Sequence, residues 1–279
     1  MSYDLAVATL AAPSWDALRN GVALPDLRIL PAEPPDQASP ERGLRLCRVG
    51  RSTRTTEVDW QAGRLRIVIH ALASPDDCDL ALRVAEVAAR LVGAPTIEAD
   101  SFGAVEVGEL RRLHTADWMH EQADSGARVL ARLIRDGKGP TQMPGPNRSC
   151  FVGERLLAEL EADRPTPSPI GCWRSCTACS GTCRTAGVFV SDGDDGHNHQ
   201  THFAVWLPGE NLVFPRVDYV ALQVAEGEIV LVPSAAVATL AGPHGTWLDE
   251  CQVLVRAIGA DDWPTLIARA RPLAASPRR

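Results

Sequence analysis

The sequence predicts an α+β protein: a larger N-terminal α/β unit followed by a smaller, β-rich C-terminal unit with antiparallel hairpins. Three observations carry this reading. Two β-rich runs, residues 53–60 and 64–72, flank the turn Gln61-Ala62-Gly63. A helix with clear start and stop signals spans residues 75–92. Beyond residue 186, strand-like runs alternate with short turns.

Residues 3–10 read as the first strand. Pro13-Ser14-Trp15-Asp16 then reads as a helix start, with Ser14 able to accept a hydrogen bond from an early backbone N–H. Residues 27–30 form a second strand candidate, and the proline-rich stretch 31–43 reads as a loop.

Ser74 caps the helix that follows the hairpin, Pro75 suits its first position, and Asp76 and Asp77 face the positive end of the helix dipole. Leu80, Val84, Val87 and Leu91 supply its apolar stripe, and Gly93 ends it. Residues 96–107 read as a short strand or loop pair. Residues 107–134 read as helical, in one piece or two, and 154–161 as another helix.

In the C-terminal part, residues 187–190 and 202–207 read as strands around an acidic, glycine-rich turn. Residues 212–224 and 228–232 read as strands around Glu226-Gly227. Residues 246–258 read as a helix, and 263–270 as a final one. The expected organisation is an N-terminal domain over 1–163, a linker with a cysteine cluster over 164–186, and a C-terminal domain over 187–279.

The net charge of -7 and the scatter of the basic residues argue against nucleic-acid binding. All but one of the 28 basic residues are arginine, the exception being Lys138. No apolar run approaches the roughly 18 residues of a membrane span. The first residues lack the basic start of a secretory signal, so a cytoplasmic location is expected.

Cys172, Cys176, Cys179 and Cys183 are the least random feature, with the spacing C-x3-C-x2-C-x3-C. Four thiolates can close a tetrahedral zinc site that stabilises folding, and an iron–sulfur cluster uses the same ligands. His197 and His199, two residues apart on a strand, are alternative metal contributors. The same spacing also suits four thiols packed along one helix face, or disulfides, which a reducing compartment disfavours. The first three cysteines match a radical-SAM spacing, but Ala178 stands where an aromatic residue is required. The acidic turn 191–196 resembles a calcium loop start, yet Phe203 occupies the closing position.

His114, Asp117, His120, Glu121 and Asp124 form a second polar group. On a continuous helix His114, Asp117 and Glu121 share a face, and a carboxylate beside an imidazole can do acid–base work. A solvated helix face is the alternative. The chain contains no G-x-S-x-G elbow, no phosphate-binding P-loop and no G-x-G-x-x-G segment.

The segments LIRDGKGPTQMPGPNRSCFVGERLLAEL (133–160) and LVFPRVDYVALQV (212–224) resemble stretches of an uncharacterised family of bacterial proteins from GC-rich genomes. That resemblance implies no chemistry and transfers no functional residue. The functional expectation is therefore a non-enzymatic cytoplasmic binding protein of the immunity type, whose partner is a bacterial toxin. The alternatives are a zinc protein with a four-cysteine site, and an enzyme using His114, Asp117, His120 and Glu121.

Overall fold

The computed structural model describes residues 2–30, 40–137, 139–146, 149–162, 184–192, 200–225 and 228–275. The chain is α+β and divides into two compact units, Met1–Ser149 with Leu157–Ala178, and Cys150–Leu156 with Cys179–Arg279.

The first unit is built on one antiparallel sheet. Its strands are β1 (Tyr3–Ala8), β2 (Leu27–Leu30), β3 (Leu44–Arg48), β4 (Thr56–Gln61), β5 (Arg64–Ile69), β6 (Thr96–Ala99) and β7 (Gly103–Glu106), in the order β2-β3-β4-β5-β1-β6-β7. Strand β1 lies between β5 and β6, pairing Leu5 with Ile67 on one side and with Ala99 on the other. The predicted hairpin is β4–β5: Ala62 and Gly63 both take positive φ, at 49° and 79°, which matches the right-handed twist of the flanking strands. Strand β3 went unrecognised in the sequence, although Leu44 and Leu46 point inward and Arg45 points out.

Period-two alternation divides the sheet into two faces. Tyr3, Leu5, Val7, Val58, Leu65 and Ile67 are buried on the inner face. Helix α1 (Trp15–Val22) and helix α2 (Pro75–Val92) join this core, and α2 packs on five of the strands. The Ser74 side chain accepts from the Asp77 N–H while the Asp77 carboxylate accepts from the Ser74 N–H, closing a capping box, and Gly93 ends α2 at φ 69°. Because α2 lies between the sheet and neighbouring helices, its burial extends past one stripe to Cys78, Ala81, Leu82, Ala85, Ala88 and Ala89. Leu91, expected in the stripe, is 47% exposed at the helix end.

The predicted helical stretch from 107 divides into a 3-10 turn (Val107–Glu109), α3 (Leu110–Leu113) and α4 (Ala116–Arg135). Thr115 caps α4 by accepting from the Trp118 N–H, so the helix restarts one residue after His114. Further along the sequence come β8 (Thr141–Pro144), β9 (Ser149–Val152) and α5 (Glu154–Ala162).

The second unit holds two four-stranded sheets. One is β11 (Val188–Asp192), β12 (Gln200–Trp206), β14 (Tyr219–Ala225) and β15 (Glu228–Pro233), in that order. The other, in the order β10-β13-β17-β16, is formed by β10 (Arg184–Thr185), β13 (Leu212–Phe214), β16 (Gly245–Trp247) and β17 (Val253–Val255). The hairpins β11–β12 and β14–β15 are antiparallel, as the sequence predicts. The pairs β12–β14 and β10–β13 are parallel, a feature the sequence reading lacks. Helices α6 (Val237–Ala241) and α7 (Trp263–Ala270) cover a core that includes Trp206, Phe214, Val220, Leu222 and Val255.

Two expectations are corrected here. Residues 212–224 are two strands in different sheets: the first ends before Pro215, which has no N–H for a ladder, and the chain bends at Arg216 and Asp218. Residues 246–258 form the β16–β17 hairpin and not a helix. The fully buried Asp249 carboxylate accepts from the N–H groups of Cys251 and Gln252 and so folds the connection back.

Candidate functional site

Cys172, Cys176, Cys179, Cys183, His197 and His199 lie outside the described residues. Among the described residues no group of three or more His, Cys, Asp or Glu is arranged to hold a metal ion.

The His114 group is not assembled as a continuous helix would assemble it. The cap at Thr115 breaks the helix, so His114 leaves the three-and-four spacing that joined it to Asp117 and Glu121. His114 is 1% exposed, whereas Asp117, His120 and Glu121 face outward on α4. His120 Nδ1 donates to the carbonyl of Ala116 at 2.7 Å, one turn back along its own helix.

His114 is instead brought to Tyr3. Its Nδ1 lies 2.8 Å from the carbonyl oxygen of Leu110, which only accepts, so that nitrogen carries the proton. Nε2 is then the acceptor for the Tyr3 hydroxyl, also at 2.8 Å. Trp118, Phe102 and Tyr3 surround the imidazole edge-on, with ring centroids 4.6, 5.1 and 5.6 Å away. Burial, together with nearby Arg111, holds His114 below its ordinary pKa against the opposing pull of the Leu110 carbonyl, and keeps the ring neutral. Burial also pushes the Tyr3 hydroxyl up to about 12, Ser101 opposing through hydrogen bonds and the Asp100 charge adding to the rise.

This pair backs a pocket of about 250 Å³ at the end of the sheet. Strand β1 brings Tyr3, the exit of β5 brings His70, the β6–β7 turn brings Asp100 and Ser101, and α4 brings Gln122 and Ser125. His70 Nε2 is 3.2 Å from Glu57 Oε1, and Asp100 Oδ2 accepts from the Asp4 N–H at 2.8 Å. Sequence reasoning missed Tyr3, His70, Asp100 and Ser101. The one available signal was polar residues at strand ends, which carries no information about which ends meet.

The outer face of the same sheet is polar. Asp59 stands opposite Arg66 in register, and Arg66 opposite Ala6, beside Glu98. Arg66 grips Asp4 with two contacts, Nε at 2.7 Å and Nη2 at 2.6 Å from Oδ2. That hydrogen bond raises the Arg66 pKa. Burial raises the Asp59 carboxyl, Arg66 opposes, and Glu57 and Asp4 add to the rise. A groove of about 580 Å³ lies on this face, with Asp4, Ala6, Asp59, Arg64, Arg66 and Glu98 in its lining.

The chain matches no family model, no curated protein and no solved structure. Among the described residues no helix is long and apolar enough to cross a membrane.

Proposed function

We propose that this chain is a cytoplasmic protein-binding protein of the immunity type, which neutralises a bacterial toxin by occupying it. The outer face of the seven-stranded sheet supports this reading. It presents arginines and carboxylates in fixed register, with Arg66 held through Nε and Nη2 by Asp4 Oδ2. Side chains ordered before binding lose less entropy when a partner arrives, and arginine is enriched where proteins meet. The net charge of -7 favours a basic partner and speeds the encounter. The test is co-expression with any toxin encoded beside it. Protection of the cells and a 1:1 complex are expected, and Glu98→Arg, which reverses an acidic charge lining the groove, should slow association with a basic partner about tenfold. A chain that neither protects nor binds would sink the reading.

The spacing of Cys172, Cys176, Cys179 and Cys183 favours a second reading, a structural zinc site. One zinc per chain, with four thiols shielded until denaturation, is the expected result. Metal-free protein with every thiol open to titration excludes it.

A further inference from the structure

The pocket under α4 has a chemistry of its own. Ile69, Ala71, Ala73 and Val129 are its apolar lining residues. Asp100, Ser101, Gln122 and Ser125 are its polar lining residues, together with Tyr3. Its volume of about 250 Å³ lies below the roughly 300–1,000 Å³ of sites for drug-sized ligands, so it suits one compact group. Gly126 sets the depth: a Cβ there would stand 2.8 Å from the Leu72 backbone nitrogen, so only glycine lets α4 come this close to the β5–α2 loop.

The charges select the ligand. Among the described residues lining the pocket there is no arginine or lysine. The His70 imidazole is paired with Glu57. The Tyr3 proton is committed to His114, and the hydroxyl remains uncharged. Asp100 uses Oδ2 for the Asp4 N–H and contributes the one carboxylate of the lining. Asp100 is exposed, and an exposed carboxylate beside apolar side chains is matched by a cationic donor on an aliphatic stem.

We infer that this pocket binds the ammonium or guanidinium head of an aliphatic cation, with Asp100 as counter-charge and Ile69, Ala71, Ala73 and Val129 around its stem. The inference stands apart from the protein-binding reading, and either can fail alone. The cation has two sources, a free small amine or an arginine or lysine side chain of a bound protein.

The experiment is a titration of the full chain, followed by amide chemical shifts, with n-butylguanidine, n-butylamine and the neutral isostere n-butylurea. Both cations should shift Ser101, Gln122 and Gly126, and butylurea should bind at least tenfold more weakly. Asp100→Asn keeps an acceptor for the Asp4 N–H and should weaken the cations at least tenfold. Val129→Trp, on the exposed side of α4, should close the mouth and abolish binding without touching the Asp100 carboxylate. N-acetyl-arginine methylamide binding more tightly than butylguanidine supports the protein side chain as source, and the reverse order supports a free amine. Equal binding of butylurea, unchanged binding by Asp100→Asn, or shifts confined to other residues would overturn the inference.

Discussion

The Tyr3 hydroxyl donates to His114 Nε2 across 2.8 Å, joining the first strand of the chain to the break between α3 and α4. Both residues are buried, at 6% and 1% exposure. Tyr3→Phe leaves the imidazole nitrogen unsatisfied and should cost about 1–3 kcal/mol. Denaturant unfolding of the variant, compared with the parent chain, measures this.

The same imidazole makes stability depend on pH. His114 titrates at its ordinary value of 6.5 in the unfolded chain and lower in the folded one. Its contribution is therefore fully present above pH 6.5 and is lost as pH falls through the depressed folded value. Tyr3 acts at the other end: its contribution is full below pH 10 and is lost as pH rises towards about 12. Unfolding midpoints between pH 4 and 8 should fall on the acid side, and His114→Gln should flatten that fall. An unchanged slope in the variant would remove His114 as its source.

Asp77 Oδ2 accepts from the N–H groups of Thr53, Arg54 and Ser74 and from the hydroxyls of Thr53 and Ser74. One carboxylate thus caps α2 and pins the loop that leads into β4. Asp77→Ala removes the cap and strands several buried donors, and should cost at least about 2 kcal/mol. Asp77→Asn, which retains an acceptor oxygen, should cost less. Thermal unfolding of the two variants gives the order.

Gly126→Ala tests the fit of α4. Intrinsic helix propensity favours alanine by about 1 kcal/mol in a helix interior. The new Cβ would meet the backbone nitrogen of Leu72 at 2.8 Å, and backbone yields less readily than a side chain. The variant should be less stable than the parent chain, and a higher melting temperature would show that α4 can shift freely.

Within the second unit, Glu250 Oε1 accepts from the Leu156 N–H at 2.7 Å, so a distant carboxylate satisfies the first turn of α5. Glu250→Ala should destabilise by about 1 kcal/mol, the size of an ordinary cap loss. Gly153→Ala drives its Cβ to 2.6 Å from Glu250 Cγ and should weaken the same contact. Hydrogen exchange at Leu156 reports both.

Elements with local signals were legible. Ser74, Pro75 and Gly93 mark α2, Ala62-Gly63 marks the β4–β5 turn, and the apolar spacing from Trp263 marks α7. Residues 246–258 misled because Val253 and Val255 fit a buried strand as well as a helix face, and the Asp249 turn between them and β16 declares itself only through its hydrogen bonds. The His114 group misled because a cap at Thr115 outweighed the apolar continuity of the stretch around it.

Chain composition, alternation and caps were enough to establish the α+β class and most element boundaries, since each depends on residues within a few positions of one another. Strand order and the pocket depend on residues far apart. Tyr3 and His114 are 111 positions apart, and Asp4 and Asp100 are 96. The insertion of β1 between β5 and β6 brings Tyr3 to Ser101, and burial of α2 between sheet and helices sets where α4 crosses. Such long-range pairings follow from the joint burial of many apolar side chains, and no local stretch of sequence encodes them.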